Sequence, residues 1–464
     1  MSGLRISLAV AFSIAMFSLG YADWLRFRGP NGSGVSQQTD ASPSQWGPDQ
    51  NVAWKLDLPG AGVSSPVVVG NRVFVTCYSG YGLDRENPGD LSKLKRHLIC
   101  VDATTGKIDW QVAVDSTQPE DPYSGIGVTA HGYASHTPVS DGERVYAFFG
   151  KSGVHAFDLE GNRLWQRSVG ARSDDRRWGS SSSPILHENF LIVTASAESR
   201  SLVALDKTTG KQLWKQETDG LSNVWGTPVL TKTDGRTDLV LGVPYEFWGM
   251  NPETGKLRWF AQAMDSDQYS SSVVEADGVL YGIEGRSGGS VAVRVGGKGD
   301  VSESHTVWSG NDTGRFGSPL VVDGRIYYFS NGVANCIRAE DGSSVFKGRL
   351  PSAGGSRQSD RENPGNTRPG FGGGTRGFGA GTRGRGGFGG GFGAMDYASA
   401  VAADGKIYFL KRDGTTHVLK AGDKFELIAS NQLTESSESF GGTPAISDGR
   451  LFIRSDKRLY CVSE

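Results

Sequence analysis

The segment ALDKTTGKQLW, Ala204–Trp214, decides the fold because it recurs. CVDATTGKIDW (Cys100–Trp110), AFDLEGNRLW (Ala156–Trp165) and GMNPETGKLRW (Gly249–Trp259) carry the same pattern, and CIRAEDGSSVF (Cys336–Phe346) is a degenerate copy. An Asp or Asn at the third position can accept backbone N–H groups a few residues on, and the Gly supplies the positive φ that closes the turn. Each copy therefore reads as a strand, a tight turn and a second strand carrying an aromatic residue.

Working outward, a second motif precedes each copy and continues past the last one. It reads SSPVVVG (64–70), HTPVSDG (136–142), SSPILHE (182–188), GTPVLTK (226–232), SSSVVEADG (270–278), GSPLVVDG (317–324), ASAVAADG (398–405) and GTPAISDG (442–449). Taking Pro66, Pro138, Pro184, Pro228, Ser272, Pro319, Ser399 and Pro444 as equivalent gives spacings of 72, 46, 44, 44, 47, 80 and 45. A base period of about 45 residues with four short strands per unit is the signature of propeller blades. The reading is all-β: an eight-bladed β-propeller. The eighth unit, ending at Glu464, lacks its fourth strand, and NVAWKLDLPG (51–60) is a spare one whose Trp54 matches the repeat Trp. The N-terminal strand is thus expected to complete the last blade beside residues 457–463 and remove the open sheet edges. Trp54, Trp110, Trp165, Trp214, Trp259 and Trp308 are expected to bury their indoles against the neighbouring blade.

Composition agrees. The 464 residues include 67 Gly, 11 Trp, 14 Tyr and 21 Phe, which suits many turns and short strands. Lys and Arg number 48 against 50 Asp and Glu, so a nucleic-acid binder acting through bulk charge is not expected. Four cysteines in this length exclude a disulfide-built scaffold. Cys77 and Cys100 fall on neighbouring strands of the first blade, which leaves a disulfide between them open. P-loop, His-Glu-x-x-His, Cys-x-x-Cys and Gly-x-Ser-x-Gly motifs are absent from the sequence.

Residues 1–22 read as an export signal: Arg5, an apolar run from Ile6 to Leu19, then Gly20 and Ala22 as small residues before a cleavage point. Periplasmic or extracellular placement follows, with residues 23–50 as an N-terminal extension and 51–464 as the propeller. The apolar run is too short for a membrane span. The 351–395 insertion is rich in Gly and Arg and is expected to be a disordered surface loop. Insertions at 79–96 and 115–135 lengthen blade 1 and its link to blade 2.

The Ala-x-Asp-x-x-Thr-Gly-x-x-x-Trp pattern resembles the tryptophan-docking repeat of eight-bladed quinoprotein (PQQ-type) propellers, over about residues 45–464 apart from the insertions. The resemblance implies one of two activities. Quinoprotein alcohol dehydrogenases hold pyrroloquinoline quinone with Ca²⁺, use an Asp base, and wall the cofactor with a disulfide between adjacent cysteines. The outer-membrane assembly propeller binds partner proteins and needs no cofactor. This sequence has no Cys-Cys pair and no assignable base, and it also lacks a lipid-anchor Cys near the cleavage point. The expectation is therefore a monomeric interaction or ligand-binding scaffold for envelope or secreted proteins, without cofactor or metal. A PQQ- and Ca²⁺-dependent dehydrogenase acting on alcohols or sugars is the alternative.

Aromatic residues just before the inner strands are candidates for one mouth of the central channel: Tyr133 with His136, Trp178, Trp225, Tyr269, Phe316, Tyr397 and Phe440. Aromatic walls with small polar neighbours suit a flat ligand or a peptide, although each ring could equally pack between blades. His131 and His136 do not have a zinc-ligand spacing, and the Arg172–Arg177 loop lies near the same rim.

Overall fold

The computed structural model describes residues 23–38, 40–125, 127–233, 235–284, 288–351 and 395–464. The export signal, and the insertion but for its two end residues, fall outside them. Within them the chain forms eight sheets arranged as blades, antiparallel except where Gly299–Asp300 joins the outer strand of blade 4 in parallel. Blade 3 is representative: Ile185–His187, Phe190–Ala195, Ser201–Asp206 and Gln212–Glu217 pair in sequence order from the axis outward. The inner strand of blade 1 is buried throughout, whereas the outer strand of blade 2 is mostly exposed, as expected for strands that radiate from a packed axis. Among the described residues no helix is long and apolar enough to cross a membrane.

The eighth blade is closed as the sequence implies. Val52–Asp57 pairs antiparallel with Arg458–Val462, placing Trp54 opposite Cys461 and Leu56 opposite Leu459. Closure also uses the repeat's own contact, since Trp54 Nε1 donates to Ala103 O of blade 1 at 2.9 Å.

That contact recurs around the ring. Nε1 of Trp110, Trp165, Trp214 and Trp308 donates to the carbonyls of Leu159, Lys207, Pro252 and Ala339, each in the turn of the next blade. The turn glycines at 106, 161, 210, 255 and 342 all have positive φ, and a methyl on any of them would fall 2.5–2.9 Å from the docked indole. Gly is thus required twice, for the turn and for the approach of the ring. Within each blade a small residue faces the aromatic: Cys100 opposite Trp110, Ala156 opposite Trp165, Ala204 opposite Trp214, Cys336 opposite Phe346. Trp259 departs from the pattern. Its N–H turns back to Asp238 Oδ2 of its own blade at 2.8 Å, and its ring sits over Gly249. The cause is in blade 5, whose Val295–Asp300 stretch offers no Asp-x-x-Thr-Gly turn to receive it.

At the axis the blades are joined by a second, closed set of bonds. Ser65 N donates to Thr137 Oγ1, Thr137 N to Ser183 Oγ, Ser183 N to Thr227 Oγ1 and Thr227 N to Ser272 Oγ. Ser272 N then donates to Ser318 Oγ, Ser318 N to Ser399 Oγ, Ser399 N to Thr443 Oγ1 and Thr443 N back to Ser65 Oγ. All eight lie at 2.9–3.0 Å. The ring corrects the repeat alignment by one residue in blades 5 and 7. Ser272 and Ser399 correspond to Ser65, so Val273 and Ala400, not these serines, occupy the proline position.

The extension threads this axis. Trp24 exchanges two backbone hydrogen bonds with Val68, Leu25 O accepts from Ser140 N, and Ser36 N donates to Ala402 O. Arg26 and Arg28 reach Pro228 O and Pro319 O. Val68, Ser140 and Ala402 lie downstream of the hydroxyl ring along their strands, whereas Trp178, Trp225, Phe316 and Tyr397 lie upstream. The extension therefore occupies the end of the channel opposite those aromatics.

All four cysteines are buried and free. Cys77 pairs with His97, and Cys100 with Phe74, so the two thiols are three residues out of step on adjacent strands.

Two substitutions separate the outer and inner fastenings. Trp214→Ala is expected to cost about 3–5 kcal/mol through the cavity it leaves. Thr227→Val keeps the shape but leaves the Ser183 N–H without its acceptor, at about 1–3 kcal/mol. Chemical denaturation of both variants measures this, and a neutral Thr227→Val would remove the hydroxyl ring from the account of stability.

Candidate functional site

The inner strands begin close to the axis, and the residues there are small, so the channel stays open above the hydroxyl ring. It encloses about 150 Å³. Its wall carries Ser65, Thr137, Ser183, Thr227, Ser272, Ser318, Ser399 and Thr443, and Phe27 of the extension also contributes to it. Trp178, Trp225, Phe316 and Tyr397 line the same cavity. They stand in two pairs: Trp178 and Trp225 with centroids 5.5 Å apart, and Phe316 stacked on Tyr397 at 4.6 Å. Trp225 Nε1 donates to Gly179 O, which ties the first pair together through the backbone.

The other four expected rim residues lie elsewhere. Tyr133 packs edge-on against Tyr78 at 5.4 Å and bonds Asp121 O, within the insertion that follows blade 1. Tyr269 is fully buried, its ring lying against Gly242 and Gly282. Phe440 packs on Tyr460 and over Gly414. His136 is buried against Phe148 at 4.3 Å. At Tyr269 and Phe440, nearby glycines leave room for a ring that turns away from the channel.

Three arginines cover the rim aromatics. The guanidinium of Arg176 lies 5.2 Å from the Trp178 ring, that of Arg315 5.1 Å from Phe316, and that of Arg412 5.3 Å from Tyr397. Arg176 is held by Gln268 and Asp267. The sequence placed the Arg172–Arg177 loop near this rim, but gave no sign that Arg315 and Arg412 would join it.

A smaller, buried chamber adjoins the channel and shares His131 and Ser135 with it. Arg96 pairs with Glu120 at 2.5 Å, and Lys151 pairs with Asp121 at 3.1 Å, so these charges are matched in place. Beside them Ser180 Oγ donates to Glu198 Oε1 at 2.5 Å and lies 3.0 Å from His136 Nε2. Burial pushes the Glu198 carboxyl up to about 7. Burial, with like charge from Arg96 and His131, pushes His136 down to about 3, so the imidazole is neutral. His131 bridges Ser135 and the Trp178 carbonyl, linking the chamber to the rim. Glu198 carried no motif in the sequence and is recognisable only from its burial.

The family model described as Outer membrane protein assembly factor BamB (PQQ_2) matches residues 45–197 and 150–359, and the chain belongs to that family. A polyvinylalcohol dehydrogenase from a Pseudomonas species is 23% identical over 268 residues, 48% of this chain and 37% of that protein. The chain thus spans little more than a third of the length of that relative. The crystal structure of BamB from Moraxella catarrhalis superposes with a TM-score of 0.55 at 11% identity, covering 89% of this chain and 97% of that one. A europium-containing methanol dehydrogenase gives 0.61 at 10% identity, with 96% and 98% covered. At these identities the structural likeness speaks for the fold alone.

The site gives a test of pH linkage. A carboxyl raised above its ordinary 4.5 in the folded state favours the protonated form there. Stability is full below that value and falls as pH rises to about 7. Glu198→Gln is expected to gain on the parent by about 3 kcal/mol between pH 4 and pH 8, at roughly 1.4 kcal/mol per pH unit. Urea titrations across that range would show it, and a constant difference would mean the carboxyl titrates normally.

Proposed function

We propose that this protein is an exported scaffold of the cell envelope that binds an acidic, aromatic-bearing segment of a partner protein at the channel mouth. The observation that carries the reading is the rim itself: two aromatic pairs, capped by Arg176, Arg315 and Arg412, around a cavity walled by hydroxyls and rings. Planar groups can stack on such walls, and carboxylates can meet the guanidinium edges. Envelope placement rests on the reading of residues 1–22 as an export signal, supported by membership in the assembly-factor family.

The likeness to a polyvinylalcohol dehydrogenase favours a second reading, quinone-dependent oxidation. The residues present do not fit that cofactor's needs. Among the described residues the channel lining includes no Asp, Glu, Asn or Gln to hold Ca²⁺, and no disulfide forms a wall. Of the carboxylates around it, Glu120 pairs with Arg96, Glu198 accepts from Ser180 through Oε1, and Glu284 accepts from the backbone N–H groups of Ser270 and Ser271.

Binding of acidic peptides containing Phe or Trp, followed by indole fluorescence, separates the two. Arg315→Glu and Arg412→Glu together are expected to weaken it at least tenfold, as is raising the salt from 0.05 to about 0.5 M. If pyrroloquinoline quinone and Ca²⁺ instead co-elute with the protein and support dye reduction on alcohols, the scaffold reading fails.

A further inference from the structure

At the outer rim of the ring, away from the channel, each blade's first hairpin meets the turn of the next blade. At several of these junctions a cation bridges the two blades. The residue that opens the second strand is Arg72 in blade 1, Arg325 in blade 6 and Arg450 in blade 8, each paired with the last residue of the inner strand. Each reaches into the next blade's turn: Arg72 to Glu160 at 3.3 Å, Arg325 to Asp423 at 2.8 Å, Arg450 to Ala103 O at 3.0 Å. Between blades 2 and 3 the cation comes from the other side, as Lys207 meets Asp141 at 3.1 Å.

Among the described residues, the junction of blades 3 and 4 has no such cation. The equivalent position is Phe190, paired with His187. Across from it stands Glu253, at the turn position held by Glu160 in blade 2, and Glu188 in the hairpin adds a second carboxylate. Neither glutamate has a Lys or Arg within ion-pairing distance among the described residues. Instead, one ligand atom from each of His187, Glu188 and Glu253 lies within 4.8 Å of the other two. Phe190 stacks with the His187 imidazole at 6.3 Å and helps to orient it. The backbone on both sides is fixed. Trp214 holds Pro252 O, Asn251 Oδ1 caps Glu253 N, and Asn189 bonds Asp206 and the Lys207 N–H.

We propose that His187, Glu188 and Glu253 form a site for a divalent transition-metal ion of the zinc type, which stands where blades 1, 6 and 8 place an arginine and links blade 3 to blade 4. One imidazole and two carboxylates are a borderline donor set, preferred by Zn²⁺ over Mg²⁺ or Ca²⁺, which favour oxygen alone. Around such an ion, with bonds of about 2.1 Å, ligand atoms stand roughly 3.4 Å apart. The half-buried imidazole sets the position, and the exposed glutamates need move only by side-chain rotation. Three protein ligands leave coordination places for water. The site lies apart from the channel mouth and is independent of the reading given for it.

The experiment is calorimetric titration of the tag-free full-length protein with ZnCl₂, with MgCl₂ and CaCl₂ in parallel. One equivalent of Zn²⁺ is expected, with affinity lowered at least tenfold in both His187→Gln and Glu253→Gln. The thermal midpoint of the parent should rise with Zn²⁺, and that of Glu253→Gln should not. Phe190→Arg, which restores the guanidinium of blades 1, 6 and 8, should abolish Zn²⁺ uptake. The proposal is overturned by the absence of saturable binding, by variants that bind as tightly as the parent, or by Mg²⁺ or Ca²⁺ binding as tightly as Zn²⁺.

Discussion

The ring of eight N–H to hydroxyl bonds at the axis is the constraint on which the rest of the molecule depends. Each Ser or Thr donates its backbone N–H to one neighbour and offers its side-chain oxygen to the other. No blade can be removed or shifted without leaving one buried donor and one acceptor unmatched. In six blades the next residue is Pro, which holds the Ser or Thr extended and brings no N–H of its own to satisfy. Small side chains are required here for a geometric reason as well. Eight chains converge on one axis, and anything larger would fill the channel that the aromatic rim then uses.

At larger radius a different interaction does the same work. The docked indoles fasten five of the eight junctions, each with a ring over a glycine and an N–H on a carbonyl. The exceptions use other contacts. Phe346 packs on Phe425 between blades 6 and 7, Trp46 of the extension packs on Tyr408 of blade 7, and Trp259 folds back to Asp238. Where the turn that receives an indole is missing, the tryptophan stays buried but finds its hydrogen-bond partner at home. The docked indoles are half-buried at Trp54, Trp110, Trp165 and Trp308, whereas Trp259, bonded within its own blade, is fully buried.

These two fastenings explain which features could be read from the sequence. The blade count, the closing strand and the Trp positions follow from a period that the turn chemistry makes visible. Ser272 and Ser399 stand one residue out of step with the prolines because Pro marks the repeat in the sequence, whereas the hydroxyl before it is the residue that bonds. The rim was half legible. An aromatic before an inner strand reaches the axis at Trp178, Trp225, Phe316 and Tyr397, but at Tyr269 the strand glycines Gly242 and Gly282, and at Phe440 the turn glycine Gly414, leave room for the ring. The path of the extension was not legible, because Trp24, Leu25 and Ser36 are held through backbone groups that every residue has.

The same architecture bears on how such a ring acquires a function. Its rigidity resides in the hydroxyls and the docked indoles, so the loops at the mouth and the turns at the edge can change without loss of the fold. At the mouth, arginines over aromatic rings create a surface that attracts negative charge, while the carboxylates nearby are held by Arg96, Lys151, Ser180 and backbone amides. The channel lining carries hydroxyls and rings, with guanidinium groups at its rim and, among the described residues, no carboxylate, which suits recognition of an acidic partner better than retention of a metal-assisted cofactor.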